Sequence, residues 1–173
     1  SHSVASRGGR MAPACAAAHS PAVPIAHARH APTAMTQQDL ATRFRALHAR
    51  DADRLLALPN AWDAVTARLV EEAGAAAIAT TSAGIAWASG YPDGQRIPRD
   101  TMLAAVALIA RSVKVPVTAD VESGYGTGTP ADTAETVRGV IAAGAVGVNL
   151  EDAPGEGGAP VVPAERHAER IAA

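Results

Sequence analysis

The chain has 173 residues, a formal net charge of −2, 48% hydrophobic residues and only 3% aromatic ones. That length is enough for one domain with a real core, and the charge offers no global attraction to nucleic acid or to an anionic membrane. No apolar stretch reaches the length of a membrane span, and Cys15, the single cysteine, excludes a disulfide framework or a zinc cluster.

With so few aromatics the core must be built from Ala, Val, Ile and Leu, which suits helices packed closely on a parallel sheet. Lys114 is the sole lysine, so no catalytic lysine follows it. Residues 1–35 are rich in Ala, Pro and His, carry no acid and show neither helical nor strand period. They read as a disordered tail, with Met35 as a natural first residue. A secretory signal is the competing reading, but His19, Pro21 and Pro24 interrupt its apolar region.

From Met35 the elements follow in order. Thr36 is a helix N-cap with Asp39 in the first turn, and Leu40, Phe44 and Leu47 fall on one face. A short apolar run over 55–58 ends at Pro59-Asn60. Asp63 opens a helix through Ala73, with Val65 and Leu69 on one face, and Gly74 ends it. A strand is expected over 76–80, then a loop of small residues over 81–94. Pro98 starts a helix whose buried side carries Leu103, Val106, Ile109 and Ala110. A strand over 115–119 leads into glycines at 124 and 126. Thr129-Pro130 is an N-cap followed by proline at the first helical position, and Val137, Val140 and Ile141 line that helix up to Gly144. The next strand is 145–150, and Pro163 begins a last helix.

Strand and helix alternate four times, which implies a parallel sheet. A weak echo between residues 71–80 and 141–150, each a helix end, Ala-Gly and then a strand, fits repeated units. A (β/α)8 barrel needs about 250 residues, so the chain supplies about half of one. An open four-stranded sheet is the alternative.

Acids close two of these strands. Asp120 and Glu122 stand two apart, and would share a face if the strand stayed extended that far. Glu151-Asp152 closes the other. Like charges gathered in an apolar protein need something positive between them, and a hard divalent cation taking oxygen ligands is the natural candidate. Asp93, within Gly90-Tyr91-Pro92-Asp93-Gly94, reads as a turn residue when taken alone. Thr81, Ser82 and Ala83 offer hydroxyls and N–H groups after a strand. Trp62 and Trp87 stand near strand ends, where they could wall a pocket or simply pack. His48 and His167 read as surface or packing residues.

The blocks at 58–74, 77–93, 116–126 and 143–152 together resemble the isocitrate lyase/phosphoenolpyruvate mutase superfamily. The resemblance implies a TIM-type barrel, of which residues 36–173 would be an N-terminal helix and about the first four βα units. It also implies a homo-oligomer, usually a tetramer, that binds Mg2+ or Mn2+ and a small 2-oxo acid or its enolate. By motif, Asp120 matches the metal-ligating aspartate. Glu122, Asp93 and Glu151 match acids that hold metal-bound water, so the candidate metal set is Asp120, Glu122 and Glu151, and the candidate catalytic acids are Asp93, Glu122 and Glu151. Thr81, Ser82, Ala83 and Asp120 match the substrate-binding set.

Two departures narrow the reaction. Residues 153–162 contain neither lysine nor cysteine where the isocitrate-type lyases carry a Lys-Lys/Arg-Cys-Gly-His loop, so no thiol base is present there. Thr127-Gly128-Thr129 replaces the lysine and asparagine of the phosphonate mutases. The expectation is therefore a cytoplasmic, Mg2+-dependent carbon–carbon or carboxy-lyase of small 2-oxo or 2-hydroxy acids, oxaloacetate favoured, with no nucleic-acid or membrane partner. The alternatives are a phosphonopyruvate hydrolase- or mutase-like activity, an inactive half-barrel that self-associates, and a phosphate-binding module at 81–84, which lacks basic neighbours.

Overall fold

The structure is a computed structural model that describes residues 35–49, 55–153 and 161–173. The tail expected over 1–35, Met35 apart, and most of the 153–162 stretch lie outside the described residues.

Among the described residues ten elements follow in order: α1 (Gln37–Leu47), β1 (Asn60–Ala61), α2 (Ala64–Glu72), β2 (Ile78–Thr80), α3 (Ser82–Ala88), α4 (Arg99–Ser112), β3 (Val117–Asp120), α5 (Pro130–Ala142), β4 (Gly147–Asn149) and α6 (Ala164–Ala172). The helix starts are written locally. The side chains of Thr36, Asp63 and Thr129 each accept from the N3 main-chain N–H, and their own main-chain N–H donates to the N3 side chain, closing a capping box. Gly74 and Gly144, both at positive φ, follow the ends of α2 and α5.

The four strands form one parallel sheet in the order β1-β2-β3-β4. Its register pairs Ala61 with Thr80, Ile78 with Val117 and Asp120 with Asn149. Every crossover steps the same way, so right-handed connections place the helices in a row on one face. Accordingly α2 packs on α4, α4 on α5 and α5 on α6. Ile78, Val117, Ala119, Met102, Val106 and Ile109 form the centre of the core. Side chains alternate along a strand, so Thr118 and Asp120 share the other face of β3. There Phe44 of α1 closes on Thr118 and Gly147: a methyl added at Gly147 would lie 2.7 Å from the Phe44 ring and 2.9 Å from the Thr118 hydroxyl. Gln37 ties the start of α1 to the carbonyls of Ile141 and Ala145 at 2.8 and 3.0 Å.

Several expectations are corrected. The stretch 81–94 is not all loop, because Ser82–Ala88 is a helix capped by Thr81. Glycine at 84 is a packing requirement there, since a Cβ would come within 2.9 Å of Trp62 and 2.7 Å of Thr81. Val65 and Leu69 do share a face of α2, but it is an exposed one, 67% and 60%, while Ala67 is buried and Val70 packs against the core. Ile141 of α5 is likewise exposed, and Thr133, Thr136 and Val140 are the buried positions. Among the described residues no helix is long and apolar enough to cross a membrane.

Candidate active site

The acids gather beyond the C-terminal ends of the strands. Asp120 is the last residue of β3. Its main-chain N–H donates to the Thr80 hydroxyl at 2.9 Å. Its Oδ2 accepts from both the N–H and the hydroxyl of Ser82, at 2.9 and 2.7 Å. Oδ1 accepts from the Glu122 N–H at 3.2 Å. The start of α3 therefore fixes the carboxylate from one side and the following turn fixes it from the other.

The chain does not stay extended as far as Glu122. β3 stops at Asp120, and Glu122 takes a left-handed conformation, φ 51°. Glu122 thus reaches the cluster by a turn and not by strand alternation. That turn is tied to the next strand: Val121 N–H donates to Asn149 O at 3.1 Å and Glu151 N–H to Glu122 O at 2.7 Å. The backbones of Glu122 and Glu151 are thereby clipped together.

Electrostatics report the same convergence. Glu122 is only 5% exposed, and its Oε1 has no hydrogen-bond partner. Burial pushes its carboxyl up to about 7; an interaction with the Gln95 main-chain N–H opposes the rise, and the charges of Asp93, Asp120 and Glu151 add to it. Glu151 is also raised, by burial first and then by Asp120, Asp93 and Asp152. Asp93, Asp120, Glu122 and Glu151 are thus near enough to feel one another. Asp93 itself is exposed and accepts from the Gly94 N–H at 2.9 Å.

Three residues that the sequence did not single out complete the arrangement. Gln95, at φ 58°, accepts from the Tyr125 N–H at 2.6 Å and donates to the Ser123 hydroxyl, bracing the loop from the β2 side. The phenol of Tyr125 is buried without a partner. Burial, with the charges of Glu122, Asp120 and Asp93, holds it above its usual range, so it stays a neutral O–H donor. Arg170 reaches the back of the same loop from α6 and is 3% exposed. Positive φ at Glu122 and Tyr125 leaves no mark in composition, and the neighbouring glycines were the one available hint.

Thr81, Ser82 and Ala83 sit at the start of α3, and Ser82 spends both its donors on Asp120. Trp62 and Trp87 are both exposed, and neither walls the acid cluster in a closed pocket. His48 caps its own helix through Phe44 O at 2.8 Å, and His167 is half-buried on α6. A cavity of about 450 Å³ opens beside the acid loop, bordered by Gln95, Arg99, Tyr125, Gly126, Asp132 and Glu135. The larger cavity, about 710 Å³, lies near the strand starts, against Leu47, Leu55, Pro59, Val70 and Ala75, away from the acids.

The donor set fits a hard divalent cation. It is all oxygen, it is anionic, and it includes a buried carboxylate oxygen that nothing in the protein satisfies. Among the described residues no group of three or more His, Cys, Asp or Glu is placed to hold a metal ion by itself. A cation held by Asp120, Glu122 and Glu151 would need water to complete its shell.

The family model described as phosphoenolpyruvate phosphomutase matches residues 44–173. A provisionally assigned lyase/mutase from Burkholderia cenocepacia J2315 is 46% identical with a TM-score of 0.72, the match covering 79% of this chain and 48% of that one. Oxaloacetate acetylhydrolase, solved with its product oxalate, is 30% identical with a TM-score of 0.67, over 76% of this chain and 46% of the other. Phosphonopyruvate hydrolase, solved with oxalate and Mg2+, is 26% identical with a TM-score of 0.68, over 80% and 47%. The chain spans about half the length of these solved structures, and from 36% to 42% of the curated relatives it matches.

Proposed function

This chain belongs to the isocitrate lyase/PEP mutase superfamily, and on that premise we propose that it forms the first four βα units of a TIM-type barrel whose Mg2+- or Mn2+-dependent site cleaves a carbon–carbon bond of a small 2-oxo dicarboxylic acid, oxaloacetate in preference. One observation carries the reading. A buried carboxylate, Glu122, stands unsatisfied at Oε1 among Asp93, Asp120 and Glu151 at the C-terminal ends of parallel strands, where barrels of this class keep their chemistry.

Asp120, Glu122 and Glu151 would hold the ion, directly or through water, with Asp93 at the rim. When bound, it would polarise the oxygens of the 2-oxo acid and stabilise the negative charge that appears as the bond breaks. The chain's own groups have separate tasks. Ser82 keeps Asp120 in one rotamer. Thr81 and Ala83, with whatever Ser82 can spare, face the substrate carboxylate. Glu122 can keep a proton on Oε1 at neutral pH while no cation is present. The buried Tyr125 phenol offers an O–H to an anionic oxygen. The oxalate held by both related enzymes is a small dicarboxylate of the kind such a site would admit.

A second reading concerns assembly. Val65, Leu69 and Ile141 leave apolar helix faces exposed, and among the described residues β1 and β4 each pair on one side only. Both features favour self-association, as a homo-oligomer or as an inactive half-barrel. The test is direct. Oxaloacetate is incubated with the chain with and without Mg2+, and oxalate with acetate (hydrolysis) or pyruvate with CO2 (decarboxylation) is measured beside size exclusion. Metal-dependent product that vanishes in Asp120→Ala supports the lyase reading. Product above the enzyme-free Mg2+ blank that survives that substitution rejects it, and an inactive, self-associated chain supports the assembly reading.

A further inference from the structure

We infer that Arg170 is a positioning residue for the acidic site: from α6 it holds the Gly124 turn that keeps Glu122 buried and aimed at its neighbouring acids. The inference deepens the proposed function and takes the Glu122 site from it.

Gly124 is clamped between two helices. Its carbonyl accepts from the Thr136 hydroxyl of α5 at 2.7 Å, a fully buried bond. Its N–H donates to Val121 O at 2.8 Å, closing a tight turn around Glu122. Its φ is 94°, a conformation natural to glycine. On its open side a Cβ would meet Thr133 Oγ1 at 3.0 Å, Leu150 Cδ1 at 3.1 Å and Arg170 Nη2 at 3.2 Å. The guanidinium therefore lies directly against the turn.

Arg170 is anchored for that task. Its Nε donates to Thr133 Oγ1 at 3.4 Å, and Thr133 in turn donates to Thr129 O at 3.3 Å, at the cap of α5. Its Nη2 is buried with no hydrogen-bond partner. A guanidinium stays charged at any ordinary pH, and burying it so incompletely paired is costly. Arg170 is the one buried residue of α6, beside a half-buried His167 and an exposed Ile171. A stability role would be served better by an apolar side chain of similar volume. A cation pressed on the back of a loop that carries Glu122, whose carbonyl accepts from the Glu151 N–H, instead sets where those carboxylates sit. Arg170 touches neither acid and acts through Gly124.

The experiment uses the full chain with Arg170→Met, Arg170→Lys and Thr133→Val. Amide hydrogen exchange is followed by mass spectrometry, Mn2+ alone is titrated by EPR, and Tm is recorded. In Arg170→Met, peptides spanning 121–126 are expected to exchange at least ten-fold faster while those of α4 and β2 are unchanged. Mn2+ affinity is expected to fall five- to ten-fold, with Arg170→Lys intermediate and Thr133→Val a weaker copy of the Met variant. Unchanged exchange at 121–126, or faster exchange everywhere in step with a lowered Tm, overturns the inference. If wild type binds no Mn2+, the metal reading fails, and the exchange data still decide the role of Arg170.

Discussion

Ser82 gives both its main-chain N–H and its hydroxyl to the same carboxylate oxygen of Asp120. The two residues come from neighbouring strands' C-terminal ends, 38 positions apart. A hydrogen bond to a charged group contributes about 1.5–3 kcal/mol, and losing the hydroxyl leaves the carboxylate held by the N–H of residue 82 and that of Glu122 alone. Ser82→Ala should lower stability by about 1–2 kcal/mol in urea denaturation and weaken Mg2+-induced stabilisation several-fold. A variant with wild-type Mg2+ response would show that Asp120 does not need Ser82 to take part in the site.

The Glu122 carboxyl makes a pH prediction with a definite sign. Its folded pKa, about 7, lies above the ordinary 4.5. Between those values the native state binds a proton that the unfolded chain has lost. Stability is therefore full below about 4.5 and falls as pH rises through 7. The Tm of the metal-free chain should decline from pH 5 to pH 8. Glu122→Gln, which cannot ionise, should flatten that decline and raise Tm at pH 8, while removing most of the stabilisation by Mg2+. A rise in metal-free Tm over that interval that disappears in Glu122→Gln would reverse the assigned sign.

What could be read from the sequence divides along a physical line. Thr36, Asp63, Thr129 and Pro130 were legible as helix starts because capping is decided within four residues. Asp120 and Glu151 were legible because each closes an apolar run, and parallel strands deliver such residues to one end of a sheet. The α3 helix was missed: Thr81, Ser82 and Gly84 are poor helix formers, and the contact that holds them, Trp62 pressed on Gly84, is long-range. Periodicity grouped Val65 with Leu69 correctly but could not say that nothing among the described residues covers them. Gln95 and Arg170 escaped notice because their contacts are long-range, and neither stands in a recognisable spacing.

The loop after the acids makes a second, opposite pH prediction. Asp132 Oδ2 accepts from the N–H and hydroxyl of Thr127 and from those of Thr129, at 2.7–3.1 Å. These bonds, with the Thr129 and then the Thr127 hydroxyl leading, hold its carboxyl well below the usual range. A depressed folded pKa contributes stability that is present above the unfolded value and is lost as pH falls through the folded one. Asp132→Asn should therefore match wild type more closely at pH 3 than at pH 6, as read by Tm. A gap that widens on acidification would mean the carboxylate's charge is not what the threonines recognise. Gly126→Ala probes the same contact sterically, since its Cβ would fall 2.5 Å from Asp132 Cγ at φ 71°.

Behind the site, α4 and α5 approach through a single glycine. A Cβ on Gly139 would come 2.5 Å from Leu103 Cδ1 and 3.2 Å from Cδ2. Glycine inside a helix is worth about 1 kcal/mol less than alanine on propensity alone, so Gly139→Ala would stabilise an isolated α5. In the packed chain the added methyl must displace Leu103, and overpacking costs about 1–3 kcal/mol. The two effects oppose each other, and the contact is short enough for the clash to prevail, so Gly139→Ala should be destabilising. Leu103→Val removes the offending methyl reach and should restore most of the loss when combined with it. A double-mutant cycle in urea then gives a coupling of about 1 kcal/mol or more. Additive effects would mean that the helices slide apart freely, and that the spacing between β3 and β4, on which the clip between Glu122 and Glu151 relies, is not set by this contact.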